Sequence, residues 1–360
     1  MRIILATTAP TLGGVWRHQR DLALGFRARG HDVIIAGFET ASGIVDAARA
    51  DDLDWLPIQL ALGARADVFH LHLHDTFDMR VLPILSTGRL RAGRALVMTE
   101  HLPHTAVADP TLERDPTLPP SWKKPAAAQI KFLLKRAHVA LVDRVIVPST
   151  SSSRFLARRY HLNDDRLRVV HNGIPVGPDP GPSPPADRLR VVSVGALGWR
   201  KGNDLLLAAI AEATESFHLT IVGEGPLRSE LERQAATLPA GTVAFTGWLP
   251  DVTPALLAAD VLCLASRAES SSYVLLEAMA CGRTTVATTV DGPDEIVAHG
   301  ETGILVPPED VGALSRVLDE LAVDRDRAVR MGRAAHLRVT SLYGLENMLD
   351  KTLAVYAEAA

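Results

Sequence analysis

Residues 175–187 read Pro-Val-Gly-Pro-Asp-Pro-Gly-Pro-Ser-Pro-Pro-Ala-Asp. Six prolines and two glycines in thirteen positions exclude both a helix interior and a central strand there. The segment is therefore a stiff connector. On each side of it, short apolar runs alternate with longer stretches of helical periodicity. That rhythm is the pattern of parallel sheets wrapped by helices. Before the connector, strands are expected at Arg2–Ala6, Asp32–Ala36, Val68–Leu71, Ala95–Thr99, Arg144–Val147 and Arg168–Val170. A first crossover helix, Val15–Arg29, ends at Gly30, and a Pro-rich irregular loop runs from about Thr105 to Pro125. After the connector the rhythm restarts, with strands expected at Arg190–Val194, Leu219–Val222, Thr242–Phe245, Val261–Leu264 and Thr284–Ala287.

The expected fold class is α/β, with two Rossmann-like, doubly wound domains. Residues 1–174 form the first domain, 175–187 the linker and 188–343 the second domain. A terminal helix at 344–360, centred on Gly344–Ala357, is expected to pack back on the first domain. A length of 360 residues suits two cores better than one. Two such domains place a ligand cleft outside the carboxyl ends of their strands.

Charge and cysteine content narrow the function classes. A net charge of −4 lacks the basic surplus of a dedicated nucleic-acid binder. Cations do cluster at Lys123, Lys124, Lys131, Lys135 and Arg136, then at Arg154, Arg158 and Arg159. These are either solvated helix faces or a surface for an anionic acceptor or membrane. Cys263 and Cys281 have no metal-ligand spacing and no partner pattern, as in a reducing cytoplasm. The first residues read as a strand rather than a signal peptide. No apolar run approaches the ~20 residues that span a bilayer. A cytoplasmic location is expected, with at most peripheral membrane contact.

The richest local pattern is Arg267-Ala268-Glu269-Ser270-Ser271-Ser272-Tyr273-Val274-Leu275-Leu276-Glu277. Three serines lie between a loop glutamate and a helix glutamate, so their hydroxyls and N–H groups are placed to open the helix. A helix N-terminus suits a phosphate or diphosphate. Carboxylates on either side accept hydrogen bonds from sugar hydroxyls. A diphosphate between two hydroxylated rings is a nucleotide sugar.

Glycine turns follow several of the strands. Gly13-Gly14 opens the first helix, and Gly223 and Gly247 close later strands where a flat base can lie against the backbone. Arg200-Lys201, between a strand and a helix, can neutralise a diphosphate and stabilise it as a leaving group. His70, His72 and His74 alternate on one strand face, and His101 ends the next strand. They read as lining a polar pocket or bonding to neighbours rather than holding a metal. Asp52-Leu53-Asp54 and Asp324-Arg325-Asp326 read as solvated. The dinucleotide fingerprint GxGxxG, the P-loop, GxSxG and HExxH are all absent.

Taken in order, these pieces resemble a family-4 retaining glycosyltransferase of the GT-B fold, the glycosyl transferases group 1. The resemblance rests on Gly13-Gly14, Gly30-His31-Asp32-Val33, Thr99-Glu100-His101 and Val170-His171-Asn172-Gly173-Ile174 in the first half. The second half adds Arg200-Lys201-Gly202, Val222-Gly223-Glu224-Gly225-Pro226, the Glu269–Glu277 pair, Asp291–Val297 and Gly303–Val306.

The resemblance implies that Glu277 holds the ribose hydroxyls and Glu269 contacts the transferred sugar. It implies that Arg200 and Lys201 bind the diphosphate, with help from N–H groups at Ser271, Ser272 and Tyr273 and from Gly14 across the cleft. His101 stands at the reacting face, and His72 and His74 are the acceptor-side residues. No metal and no cofactor are implied; the nucleotide sugar is a substrate. Departures are Ala196 where the family often has Arg, the serines at 270–272, and Gly282-Arg283-Thr284 in place of Gly-x-Pro.

The expected activity is retaining transfer of a hexose-type sugar from a nucleotide diphosphate donor, UDP favoured over GDP. The acceptor is a glycan or lipid precursor or a natural-product aglycone bound by the first domain. Alternatives are a nucleotide-sugar epimerase or hydrolase on the same fold and a catalytically silent nucleotide-sugar binder. The donor sugar, the acceptor and the oligomeric state are set by features outside these motifs.

Overall fold

The computed structural model describes residues 1–9, 13–38, 42–73, 81–89, 94–101, 125–161 and 164–360, without side chains at 42, 88, 89, 125–131 and 164. His74, Lys123, Lys124 and the expected loop up to residue 124 lie outside the described residues, as does the side chain of Lys131. The chain divides into two compact units. The first holds the described residues through Gly173 together with Leu345–Ala360, and the second runs from Ile174 to Gly344.

The first unit is built on a parallel sheet of β1 (Arg2–Thr7), β2 (Asp32–Gly37), β3 (Asp54–Pro57), β4 (Val68–Leu73), β5 (Ala95–Glu100), β6 (Arg144–Val147) and β7 (Leu167–Val169). Their order is β3-β2-β1-β4-β5-β6-β7. Chain order reverses beside β1, the doubly wound arrangement with a switch point there. Ile3 pairs with both Val33 and Val68, which fixes the register of the three central strands. Helices cover both faces, so β1 is apolar on both. Ile3 and Leu5 enter one core with Leu22 and Phe26, whereas Ile4 and Ala6 enter the other with Phe69, Leu71 and Met98.

The helix Gly14–Ala28 ends as its sequence implies. Gly30 takes φ +80°, and its N–H bonds back to the Arg27 carbonyl at 2.9 Å. The helix Leu345–Ala359 belongs to the same unit. Its Met348, Leu349, Val355 and Tyr356 complete the core around Ile3 and Phe26. Close approach requires glycine at 25, where a Cβ would stand 2.5 Å from a Leu349 methyl. Arg29 to Asp350 at 2.7 Å and Arg168 to Glu358 at 2.6 Å tie the helix down at its rim.

The second unit repeats the plan with β8 (Leu189–Val194), β9 (Phe217–Val222), β10 (Val243–Gly247), β11 (Val261–Leu264), β12 (Thr284–Thr288) and β13 (Gly303–Val306). Their order is β10-β9-β8-β11-β12-β13, again parallel. Val191 and Cys263 face a core with Leu314 and Leu318; Val192 and Leu262 face another with Leu275, Met279 and Val339. The Pro-rich segment lies on this unit. Ser183 bonds to Asp260, whose carboxylate also pairs with Arg190 at 2.8 Å.

Two strands escaped the sequence. β3 and β13 are four-residue edge strands, too short to show a period. Asp54 opens β3, and both it and Asp52 are exposed, as the solvated reading expects. Both cysteines are buried and unpaired, and burial pushes the Cys263 thiol up to about 12 and the Cys281 thiol up to about 11. Among the described residues no helix is long and apolar enough to cross a membrane.

Candidate functional site

The second unit concentrates charge at the carboxyl ends of β8 and β11. After β8 the chain makes a short 3₁₀ turn, Trp199–Lys201, and enters the helix Asn203–Glu212. Gly202 is needed between them. Its φ is +66°, and a Cβ would lie 1.9 Å from the Ala265 carbonyl oxygen. The turn is thereby pressed against the segment leaving β11.

Arg267 organises that contact. Its backbone N–H donates to the Arg200 carbonyl at 2.8 Å, and its guanidinium donates to the Trp199 carbonyl at 2.8 Å. The same guanidinium grips Asp204 at 2.8 and 2.6 Å, reaches Glu309 at 3.1 Å and stacks 4.7 Å from the Trp199 ring centroid. Sequence reasoning gave Arg267 no role. Most of its partners lie 42–68 residues away, and no local pattern announces them.

Glu269, Arg200 and Lys201, expected to share a ligand, come together. Arg200 donates to Glu269 at 3.2 Å and to the Ala268 carbonyl at 2.9 Å. Lys201 donates to the other Glu269 oxygen, and the Ser266 hydroxyl adds a bond at 3.0 Å. Burial by itself would raise the Glu269 carboxyl. The charges of Lys201 and Arg200 and the bonds from Lys201 and Ser266 outweigh it and bring the group down to about 2. Burial also lowers the Lys201 ammonium, more than Glu269 can restore. An ionised carboxylate is thus held between two cations, one of them short of solvation.

The serines stand differently from expectation. Ser272 occupies the N-cap of the helix Tyr273–Ala280 but makes no side-chain cap bond. Ser270 and Ser272 are buried and Ser271 is half-buried. The backbone at Ser270 and Ser271 instead packs under Gly292, whose φ is +92° and whose Cβ would meet the Ser270 carbonyl at 2.5 Å. Tyr273 and Glu277 are half-buried one turn apart on the helix face that is not in the core. Gly223 and Gly247 lie together beside the end of β8. The Gly223 N–H donates to the Gly247 carbonyl at 2.8 Å, and a Cβ at 223 would lie 1.9 Å from the Gly195 carbonyl.

The first unit concentrates imidazoles instead. Gly13 caps the helix Gly14–Ala28 in extended conformation, with open space where a Cβ would stand. His18 lies one turn inside, buried, with Nδ1 3.1 Å from Asn172 Oδ1. His70 and His72 share a face of β4, with ring centroids 4.1 Å apart. His70 is saturated, by the Tyr356 hydroxyl at 2.7 Å and the Thr99 hydroxyl at 2.6 Å. His72 Nδ1 lies 3.3 Å from His101 Nε2, while its Nε2 has no hydrogen-bond partner among the described residues. The His18 ring stands 4.8 Å from His101 and 5.3 Å from His72, centroid to centroid.

Burial lowers His18 to about 4, against the raising effect of Asn172, and holds His70 and His72 well below the ordinary value. These imidazoles are therefore neutral near pH 7. His18 and Asn172 were not expected in this cluster; a histidine inside an amphipathic helix carries no spacing signal.

One cation of the basic cluster is corrected outright. Lys135 is neither a solvated nor a surface residue but a fully buried partner of Glu100, the residue before His101. Arg136, Arg154 and Arg158 are exposed as expected, and Arg159 is half-buried, 5.1 Å from the Phe132 ring.

Comparison with known proteins fits this layout. Residues 12–177 match the family model described as Glycosyltransferase Family 4, and 188–324 match Glycosyl transferases group 1. Alpha-maltose-1-phosphate synthase of Mycolicibacterium smegmatis is 30% identical over 260 residues, 64% of this chain and 67% of that protein. The chain belongs to glycosyltransferase family 4. A lipopolysaccharide core biosynthesis glycosyltransferase, LpsE of Rhizobium meliloti, is 31% identical to this family-4 chain over 174 residues. That match covers 48% of the chain and 51% of LpsE, so the chain spans about half the length of that relative. Anabaena HepE, solved in complex with UDP and glucose, superposes with a TM-score of 0.81 at 17% identity, over 99% of each chain. At that identity the likeness carries the fold alone, and the fold of this family-4 chain is GT-B.

Proposed function

We propose that this family-4 glycosyltransferase moves a hexose-type sugar from a uridine diphosphate donor to a hydroxyl of its acceptor, with retention at the anomeric carbon. The observation that carries the proposal is the Arg200–Lys201–Glu269 cluster at the ends of β8 and β11. Lys201 is incompletely compensated by Glu269, so a diphosphate gives it the further negative charge that burial withholds. Arg200 and Lys201 stabilise the leaving group as charge builds on it. Glu269, fixed as an anion, accepts from hydroxyls of the transferred sugar. Glu277 takes the ribose hydroxyls, and N–H groups at Ser271, Ser272 and Tyr273 approach the phosphates, with Gly223 and Gly247 beside the base.

In the transfer itself, the bond from the anomeric carbon to the phosphate oxygen breaks while the bond to the acceptor oxygen forms on the same face. The acceptor proton passes to the departing phosphate, which leaves as the nucleoside diphosphate. No step calls for a metal or a cofactor. His101 stands at the reacting face and His72 serves the acceptor side, and the acceptor is a glycan or lipid precursor or a small aglycone. The choice of UDP is supported by the HepE complex, whose bound nucleotide is UDP.

Glu269→Ala and Lys201→Ala are each expected to lower transfer by about 10²–10³-fold with unchanged far-UV circular dichroism. Wild-type turnover in both variants would sink the assignment. UDP is expected to raise the melting temperature more than GDP or ADP. The anomeric coupling of the product reports retention, and donor consumed without acceptor would mean a hydrolase or epimerase instead.

A further inference from the structure

Four imidazoles meet in the first unit, and they are not equivalent. Both ring nitrogens of His70 are engaged, by Tyr356 and Thr99. His18, His72 and His101 each offer a nitrogen, and the three lie within 4.8 Å of one another. His72 Nδ1 and His101 Nε2 are already 3.3 Å apart. Two nitrogens on a tetrahedral zinc ion, each about 2.0–2.1 Å from it, stand about 3.3 Å from each other. His18 needs a side-chain adjustment of up to about 1.5 Å to complete the triangle.

Asn172 supplies a further feature. It accepts from His18 Nδ1, which fixes that ring and turns Nε2 toward the cluster, as outer-shell partners of metal-bound histidines do.

We propose that His18, His72 and His101 form a binding site for a divalent transition-metal ion of the zinc class. Three imidazoles without thiolate or carboxylate suit zinc or cobalt rather than magnesium or calcium. Three protein ligands leave a fourth position for solvent. The ion takes no part in the transfer chemistry, which has no step through a metal. Because His101 stands at the proposed reacting face and His72 on the acceptor side, a bound ion is expected to slow transfer. That consequence alone rests on the sugar-transfer proposal.

The test is a titration of chelator-treated protein with Co²⁺, read by the visible absorption of tetrahedral cobalt and reversed by competing Zn²⁺. It needs no sugar. One ion per chain is expected, with affinity reduced at least tenfold in His18→Asn and His72→Asn and by about 10–100-fold in Asn172→Ala. No tetrahedral cobalt signal in the wild type would overturn the proposal. So would equal affinity in all three variants, since the ion would then sit elsewhere. If either histidine variant unfolds, the wild-type stoichiometry and Asn172→Ala decide the matter between them.

Discussion

The two units share one strand order and differ in what they gather at the switch point. In the first, β4 and the residue after β5 bring imidazoles against the helix Gly14–Ala28. In the second, the segments after β8 and β11, the counterparts of β1 and β4, bring a carboxylate between two cations, with Arg267 bracing the turn. The same scaffold therefore gathers a cluster of imidazoles once and a carboxylate paired with two cations once. The difference lies in the residues that follow the strands, which is where function resides on such folds. It also changes how each cluster is held. Hydrogen bonds between uncharged groups shape the first, and backbone pressed against backbone shapes the second.

Three measurements sharpen this contrast. The largest effect is expected from Gly202→Ala, which attacks the second unit alone. A Cβ there meets the Ala265 carbonyl at 1.9 Å in a left-handed backbone. A loss of roughly 3 kcal/mol or more is expected in urea unfolding, and near-wild-type stability would mean the turn is not so constrained.

Acid comes next. The folded Glu269 carboxyl lies at about 2 against an ordinary 4.5. Its contribution is complete above about pH 4.5 and disappears as pH falls toward 2, at most about 3 kcal/mol. Lys201 stays protonated throughout that window and does not alter the sign. The difference in stability between wild type and Glu269→Gln should shrink steadily from pH 5 to pH 2; a constant difference would remove the carboxylate from the account.

The smallest effect belongs to the first unit. Tyr356→Phe deprives His70 of one bond and is expected to cost about 1–2 kcal/mol. With His70 held neutral well below its ordinary range, that cost should not vary between pH 6 and pH 8. A strong pH dependence there would mean the imidazoles carry charge after all.

Much of this was legible in the sequence. Long alternating segments named eleven of the thirteen strands among the described residues, and Gly30 named the end of the first helix. The sites were legible only where chemistry is contiguous. Arg200-Lys201 and Glu269 each declared themselves as local patterns, and the fold joined them. Arg267, His18 and Asn172 act through partners far along the chain, and although Arg267 and Asn172 stand inside quoted motifs, nothing there marks those partners. Lys135 misled for the same reason: its buried partner Glu100 lies 35 residues earlier, so it read as one of a row of surface cations.

The first unit is also split in the chain. Its core is closed by Met348, Leu349 and Tyr356, which are separated from Gly173 by the whole second unit. During synthesis, then, the second unit is complete and able to fold while the first still lacks part of its interior. Domains that fold as units from the amino end are the usual order; here part of the amino-terminal core stays open until Leu345–Ala360 has been made. For this chain, the unit begun first is the last to have all of its core.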